Sequence, residues 1–308
     1  MARSTAVSVA LNGHSDGPDE RVVLPAVTAA PLITEADISA LIQLAYTEAG
    51  ISLSDDKGEF LRLRLGRLLR DVDCGDFADL VASLRRPDAT DLRRKFIEAL
   101  TTHTTSFFRE KRHYEFMTEC ALPALFGDGA GAKRPLQVWS AACSTGAEIW
   151  SAAMLLDSVR LPDGKPADWR CIGTDLSERI LRRAQNAIFV EEETAGIPEE
   201  FSRRYLLRRR PRNAQEPSLF RIVPELRERT RFQQANLLAL DRGPRLSVDI
   251  AFLRNVLIYF EPKDRVKVAR DVAARIRHGG YLFTGHAESL GNAVPGLRQE
   301  AAAIYRRV

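Results

Sequence analysis

The residues best able to do chemistry in this sequence sit where apolar runs give way to polar ones. In Leu136 to Met154, a short apolar run, Gln137-Val138-Trp139, leads into the small residues Ala141-Ala142-Cys143-Ser144-Thr145-Gly146. Ile149, Trp150, Ala153 and Met154 then recur at helical spacing. That order predicts a strand, a tight turn and a helix. Small residues at such a turn let a ligand approach the backbone, and free N–H groups at a helix start favour a carboxylate or phosphate. A bare helix start against a sheet accounts for the same residues. The turn lacks the three glycines of a dinucleotide fingerprint and has no Gly-Lys-Ser/Thr, so NAD and ATP fit poorly. A second concentration is Thr101-Thr102-His103-Thr104-Thr105-Ser106-Phe107-Phe108-Arg109. The two Phe would anchor the segment while hydroxyls and the Arg109 guanidinium face a polar site, where Arg suits a carboxylate. A capped helix start with Arg109 in solvent is the competing account. His103 has no second His, Cys or Asp at a metal spacing nearby.

The elements that must position these residues follow from periodicity. Thr34-Glu35-Ala36-Asp37 is a helix start, with Ile38, Leu41, Ile42 and Ala45 on one face and a stop at Gly50. Helices are also predicted from Asp56 to Asp71, Phe77 to Arg85 and Asp91 to Leu100, giving an all-helical domain at about residues 32–98. The helix from Asp56 to Asp71 carries Lys57, Arg62, Arg64, Arg67 and Arg70, which read either as a solvated face or as a docking face for an acidic helical partner. After a helix over Tyr114–Phe126, Trp169–Asp175 reads as a strand ending in an acid and Ser177–Asn186 as a helix. Pro198–Leu207 reads as helix and Leu219–Val223 as a short strand, with the arginines of Arg203–Arg210 open to a surface or a recognition role. Strands are predicted over Thr230–Leu238 and Val248–Asn255, a helix from Lys263 to Arg277, and a last strand over Gly279–His286 reached through a Gly-Gly turn. The strand tips Asp175, Asn236, Arg254 and Asn255 would then gather on the carboxyl edge of a doubly wound α/β sheet, the ligand edge of such folds.

Whole-chain properties narrow the class. A chain of 308 residues with 45% hydrophobic and 28% charged residues fits one large domain plus a smaller one. Cys74, Cys120, Cys143 and Cys171 are widely spaced in apolar or helical contexts, which argues for reduced core thiols and against a disulfide framework or zinc cluster. No metal is expected. No apolar run is long enough to cross a bilayer, and the N-terminus makes no convincing signal peptide, so a cytoplasmic protein is expected. Residues 1–31 read as a flexible tail. The net charge of +4 alone does not argue for nucleic acid, and base-flipping or stacking features are not found.

Taken together in order, these motifs resemble the CheR family, S-adenosylmethionine-dependent methyltransferases that esterify glutamate side chains of bacterial chemoreceptors. The resemblance covers roughly residues 32–308. It rests on Thr101–Arg109, on Val138–Glu148, on Gly173-Thr174-Asp175, on Asn236-Leu237-Leu238, on Arg254-Asn255-Val256-Leu257-Ile258-Tyr259-Phe260 and on Gly285-His286-Ala287-Glu288. It implies a helical N-terminal domain, a linker and helix over 99–135 that line the active site, and a Rossmann-like methyltransferase domain over 136–308. A small β-subdomain would be inserted at about 195–230. The implied cofactor is S-adenosylmethionine, with S-adenosylhomocysteine as product.

The resemblance also implies site residues. Thr105 and Arg109 would line the cofactor and acceptor site, with Arg109 and Tyr259 the catalytic pair facing the acceptor glutamate. Glu148 and Asp175 would hold cofactor polar groups, Asn236 and Leu237 the adenine side, and Leu253, Arg254 and Asn255 the edge near methionine. His103 occupies a cofactor-contacting position where the family usually has Asn, and Leu253 replaces a common Cys. Gly146-Ala147-Glu148-Ile149 stands where the family pattern reads Gly-Glu-Glu-Pro. The implied partners are the cytoplasmic helices of methyl-accepting chemoreceptors, docked by the basic helix and the β-subdomain. These departures motivate one alternative from another class, a cofactor-binding signalling or scaffold protein with little or no transfer activity.

Overall fold

The computed structural model describes residues 31–102, 104–209, 211, 213 and 216–308. The expected N-terminal tail, apart from Pro31, and His103 lie outside the described residues. Four helices come first: α1 Glu35–Ala49, α2 Gly58–Asp71, α3 Phe77–Leu84 and α4 Thr90–Leu100. The start of α1 is fixed by a reciprocal capping box in which the Asp37 N–H donates to Thr34 Oγ1 and the Thr34 N–H to the Asp37 carboxylate. Its end is fixed by Gly50 at φ +70, whose N–H closes on α1 carbonyls. Leu41, Leu61, Leu65, Phe77, Leu80 and Phe96 are fully buried between these helices.

Helix α5, Lys111–Phe116, continues through one π-helical turn, Met117–Ala121, into α6, Leu122–Gly127. The chain then alternates through β1 Leu136–Ser140, α7 Ala147–Ser158, β2 Trp169–Asp175 and α8 Glu178–Asn186. A small excursion follows, with β3 Ile188–Val190, α9 Glu191–Thr194, α10 Glu199–Tyr205, β4 Leu206–Arg209 and β5 Leu219–Ile222. Helix α11, Pro224–Glu228, leads back to β6 Thr230–Gln234 and β7 Val248–Leu253. Helix α12, Pro262–Ala273, then precedes β8 Ile276–Thr284, β9 Leu297–Ala301 and β10 Ile304–Arg307.

The main sheet has seven strands in the order β6-β2-β1-β7-β8-β10-β9. The first five run parallel, and β10 and β9 close the edge as an antiparallel hairpin. Strand order therefore reverses between β1 and β7. This is the topological switch point, where a crevice opens outside the carboxyl ends of the strands. Burial on both faces explains the nearly continuous apolar reading of β7, every residue of which is buried. The antiparallel three-stranded sheet β3-β5-β4 stands apart from it.

Several expectations are corrected. The small sheet recruits Ile188–Val190, ahead of the expected 195–230 insertion, while Thr230 already opens a strand of the main sheet. The predicted helix over Pro198–Leu207 stops at Tyr205, and Leu206–Arg209 is strand. Helix α12 ends at Ala273 rather than Arg277. The Gly279-Gly280 pair lies inside β8 rather than in a turn before it. Gly279 sits at φ +82 beside a register shift, and a Cβ on Gly280 would come within 2.5 Å of the Asp249 carbonyl oxygen. Cys143 and Cys171 are buried and burial pushes both thiols up, as expected of core cysteines, whereas Cys120 is exposed.

At the amino end of β7, the fully buried Asp249 carboxylate holds Arg134 at 2.7 Å and Arg277 at 3.2 Å and accepts from the Gln137 N–H at 2.8 Å. One acid thereby ties β1, β7 and β8 together at the end away from the crevice. Asp249→Ala should lower the urea unfolding free energy by about 3 kcal/mol, because it strands two partly buried guanidiniums and a strand N–H. An unchanged midpoint and slope would contradict this account.

Candidate active site

A cleft of ≈ 1030 Å³, its open mouth included, lies outside the carboxyl ends of β2, β1, β6 and β7. The strand ends supply Ala141, Ala142, Ser144, Glu148, Asp175, Asn236, Leu237, Arg254 and Asn255. The helical layer closes it through Ala49, Ile51, Leu100 and Thr101, and the hydroxyl-rich segment contributes Thr102, Thr104, Thr105, Ser106 and Arg109. Tyr259 and Phe260 complete the wall beyond β7. The helical layer is held there by Ser52 N–H donating to the Tyr259 carbonyl at 2.8 Å and Tyr46 Oη to Asp264 at 2.9 Å.

The turn after β1 has the conformation its small residues predict. Ser144 and Gly146 both take positive φ, +51 and +92, and a Cβ on Gly146 would lie 2.8 Å from the Trp150 Nε1. The Ser144 N–H donates to Asp175 Oδ2 at 2.9 Å and the Ser177 N–H to Oδ1 at 3.0 Å. Asp175 is thus a positioned acid that orders the turn from the neighbouring strand. The Asn236 side-chain oxygen accepts from the Leu238 N–H at 2.9 Å, shaping the bend after β6.

The electrostatic centre is Arg254, with a side chain only 1% exposed. Its Nη1 meets Glu148 Oε2 at 2.9 Å, and its Nη2 meets Glu110 Oε2 at 3.3 Å and donates to the Arg109 carbonyl at 2.5 Å. Ser140 Oγ donates to the other Glu148 oxygen at 2.6 Å. Burial pushes the Glu148 carboxyl above its usual range, with Arg254 pulling against that shift. Burial opposes charge on Arg254 as well, but Glu148, Tyr114 and Glu110 outweigh it and hold its pKa up. The segment carrying Arg109 is fixed on its other side too, where the Phe108 N–H donates to Ser151 Oγ at 2.9 Å. Phe107 packs edge-on to Phe189 at 4.9 Å, and Phe108 lies 5.1 Å from Tyr114. The aromatic pair therefore anchors the segment as its composition predicts.

Of the site residues expected from sequence, Thr105, Arg109, Glu148, Asp175, Asn236, Leu237, Arg254, Asn255 and Tyr259 share this one cleft. Leu253 does not line it: its side chain is fully buried in the core on the other side of the sheet from Phe252. Two acids were not anticipated in these roles. Glu110 contacts Arg254, and no periodicity marks it. Glu288 is buried and accepts from the N–H groups of Gly285, Asn255 and Ile258 at 2.8, 2.6 and 3.2 Å. Its signal was the Gly285–Glu288 match, which located the acid without its function.

The whole-chain comparisons agree with this geometry. The model of the CheR methyltransferase SAM-binding domain matches residues 103–304, and that of the CheR methyltransferase all-alpha domain matches residues 36–101. The chain belongs to the CheR methyltransferase family. It is 32% identical to chemotaxis protein methyltransferase 2 of Pseudomonas aeruginosa over 88% of this chain and 93% of that protein. Chemotaxis protein methyltransferases of Salmonella typhimurium and Escherichia coli are each 30% identical, over 92% and 89% of this chain and 94% and 91% of theirs. Like other CheR proteins it is an S-adenosylmethionine-dependent methyltransferase, and the cleft stands at the edge of its cofactor-binding sheet. No helix among the described residues is long and apolar enough to cross a membrane.

Arg254→Met should lower stability by about 3–5 kcal/mol, since it leaves Glu148 and Glu110 buried without their shared cation. Urea unfolding of the purified variant measures this. A loss no larger than that of an ordinary surface substitution would show the ion pairs to be dispensable.

Proposed function

We propose that this protein transfers a methyl group to glutamate side-chain carboxylates of chemoreceptor cytoplasmic helices, forming γ-methyl esters. The observation that carries the reading is the convergence of Arg109 and Tyr259 on a cleft whose floor is built from Glu148, Asp175 and Arg254. The cleft's donor set fits S-adenosylmethionine. Asp175 ends the strand beside β1, where ribose hydroxyls are held in nucleotide-type sheets. Asn236 and Leu237 offer an edge for the adenine side. Glu148, whose burial raises the cost of leaving its charge unbalanced, suits the cationic methionine end, alongside Arg254 and Asn255. When bound, the cofactor supplies a methyl group activated by its sulfonium charge.

The chain's own residues then have a limited task. A glutamate carboxylate is ionised near neutral pH, with an ordinary pKa of about 4.3, so no general base is required. Arg109 can orient one carboxylate oxygen and Tyr259 can direct the other, leaving catalysis to alignment. Among the described residues Arg109 makes no ion pair of its own, and its Nη1 donates a long bond, 3.3 Å, to the Thr104 carbonyl. That leaves its fork able to turn toward an acceptor. Binding the acceptor too firmly would stabilise the ground state along with the transition state and gain nothing in turnover.

Docking of the acceptor helices by α2 is part of the proposal. On α2, Arg62 pairs with Glu59 and Arg67 with Asp71, while Arg64 donates to Thr102 Oγ1 at 3.0 Å at the cleft wall. The exposed pairs are worth little on their own and can exchange for acidic groups on a partner. In the small subdomain, Arg203 and Arg204 pair with Glu199 and Asp157, and Arg208 lies over Phe220.

The test is transfer of labelled methyl from S-adenosylmethionine to chemoreceptor cytoplasmic fragments, followed by mild alkali and peptide mass spectrometry. Alkali-released methanol and a methylated glutamate are expected, since a γ-methyl ester is base-labile. Alkali-stable label, or none, would refute the reading. Arg109→Ala should lose roughly 100-fold or more in turnover, as expected for a lost alignment contact, while calorimetry shows cofactor affinity within about threefold of the parent.

A further inference from the structure

Glu110, His113 and His286 form a cluster that does not itself line the cleft. Ligand-type atoms of the three lie within 4.8 Å of one another. Glu110 Oε2 is 3.3 Å from His113 Nδ1 and 3.8 Å from His286 Nε2. The His113 side chain is only 1% exposed, yet neither ring nitrogen makes a hydrogen bond among the described residues. A buried imidazole whose nitrogens make no hydrogen bond lacks a partner, and a cation held between His113 Nδ1 and the Glu110 carboxylate would supply one. The geometry points to a divalent transition-metal site, of the zinc type, built from Glu110, His113 and His286 beside the Arg254 network.

Two features support it. Zinc bonds to imidazole nitrogen and carboxylate oxygen of about 2.0–2.2 Å place tetrahedral ligand atoms about 3.3–3.6 Å apart. The two measured separations from Glu110 lie at or near that range, so small side-chain rotations complete the set. Finally, the His286 side chain is 52% exposed, which opens an approach from solvent and leaves a fourth position for water.

Arg254 opposes a cation here, because its Nη2 lies 3.3 Å from the same Glu110 oxygen. Its charge is already shared with Glu148 at 2.9 Å. Two carboxylates around one guanidinium leave a formal charge of −1, which a divalent ion carrying a bound hydroxide would bring to neutrality.

The test uses the untagged full chain, stripped with a chelator and titrated with Co²⁺ and then with Zn²⁺ against a chromophoric competitor. One equivalent per chain is expected, with the intense visible absorption of low-coordinate Co²⁺ lost on adding Zn²⁺. His286→Ala, at an exposed position, should weaken Zn²⁺ at least tenfold while leaving the far-ultraviolet circular dichroism unchanged. His278→Ala, at another exposed histidine, should not. Absence of stoichiometric binding, or equal affinity in His286→Ala and parent, would overturn the site. Methyl transfer need not be measured, so failure here leaves the proposed function untouched.

Discussion

Everything at the cleft depends on the buried guanidinium of Arg254. It joins the tip of β7 to the first turn of α7 through Glu148, and to the hydroxyl-rich segment through Glu110 and the Arg109 carbonyl. Removing three charges from water is costly, and ion pairing offsets that cost only where the remaining lone pairs and N–H groups are used. Ser140 serves Glu148, and the Arg109 carbonyl takes the second arm of the guanidinium. The network also explains two non-glycine residues in left-handed conformation, Phe108 at φ +51 and Glu110 at φ +58, one on each side of Arg109. Such conformations persist where surrounding contacts over-determine them. Here the contacts are the Phe108 bond to Ser151, two aromatic packings and the Arg254 contacts, and together they fix where the Arg109 side chain leaves the backbone.

A buried acid does the same work for the far wall. Glu288 gathers N–H groups from Gly285, Asn255 and Ile258, so the chain leaving β8 holds the loop leaving β7. Asn255 sits at φ +55, and a Cβ on Gly285 would come within 2.5 Å of the Glu288 carboxylate. The glycine is therefore a condition of the carboxylate's reach. The switch-point topology sets the position of the crevice, and Arg254 and Glu288, one per side, hold the loops that shape it.

The sequence was legible where local chemistry decides structure. Thr34 and Gly50 bound α1 as their capping chemistry requires, and β2 runs from Trp169 to Asp175 as read. The strand tips gathered because parallel topology leaves them one place to go. Legibility failed where a tertiary partner decides. Ile188–Val190 and Leu206–Arg209 are strands only because Leu219–Ile222 lies between them, and neither is long enough to show a period. Gly279-Gly280 resembled a turn because pairing with β7, which absorbs the bulge, is invisible locally. Glu110 and Glu288 could not be assigned because the partners that define their roles are distant in sequence: Ile258 and Asn255 lie 30 and 33 positions from Glu288, and Arg254 lies well over 100 from Glu110. Leu253 was placed at the cofactor by resemblance, but strand alternation turns its side chain into the core.

The departures from the CheR pattern look different once the turn is seen in place. Ala147 and Ile149 are the positions where the pattern carries an acid and a proline. Both are buried, at 2% and 0% exposure, against the apolar core under α7. Of the three residues 147, 148 and 149, Glu148 alone lines the cleft. An acid at 147 would have to be desolvated among apolar neighbours in this chain, whereas alanine there packs without an orphaned charge. Ile149 occupies the third position of the helix, still in its first turn, where proline is tolerated but not needed, because the turn is already set by Ser144, Gly146 and Asp175. The substitutions thus exchange polar or rigid residues for core packing and leave the cleft's own groups in place. The motive for a cofactor-binding protein without transfer activity weakens accordingly, since Arg109, Glu148, Asp175, Arg254 and Tyr259 still meet in one cleft.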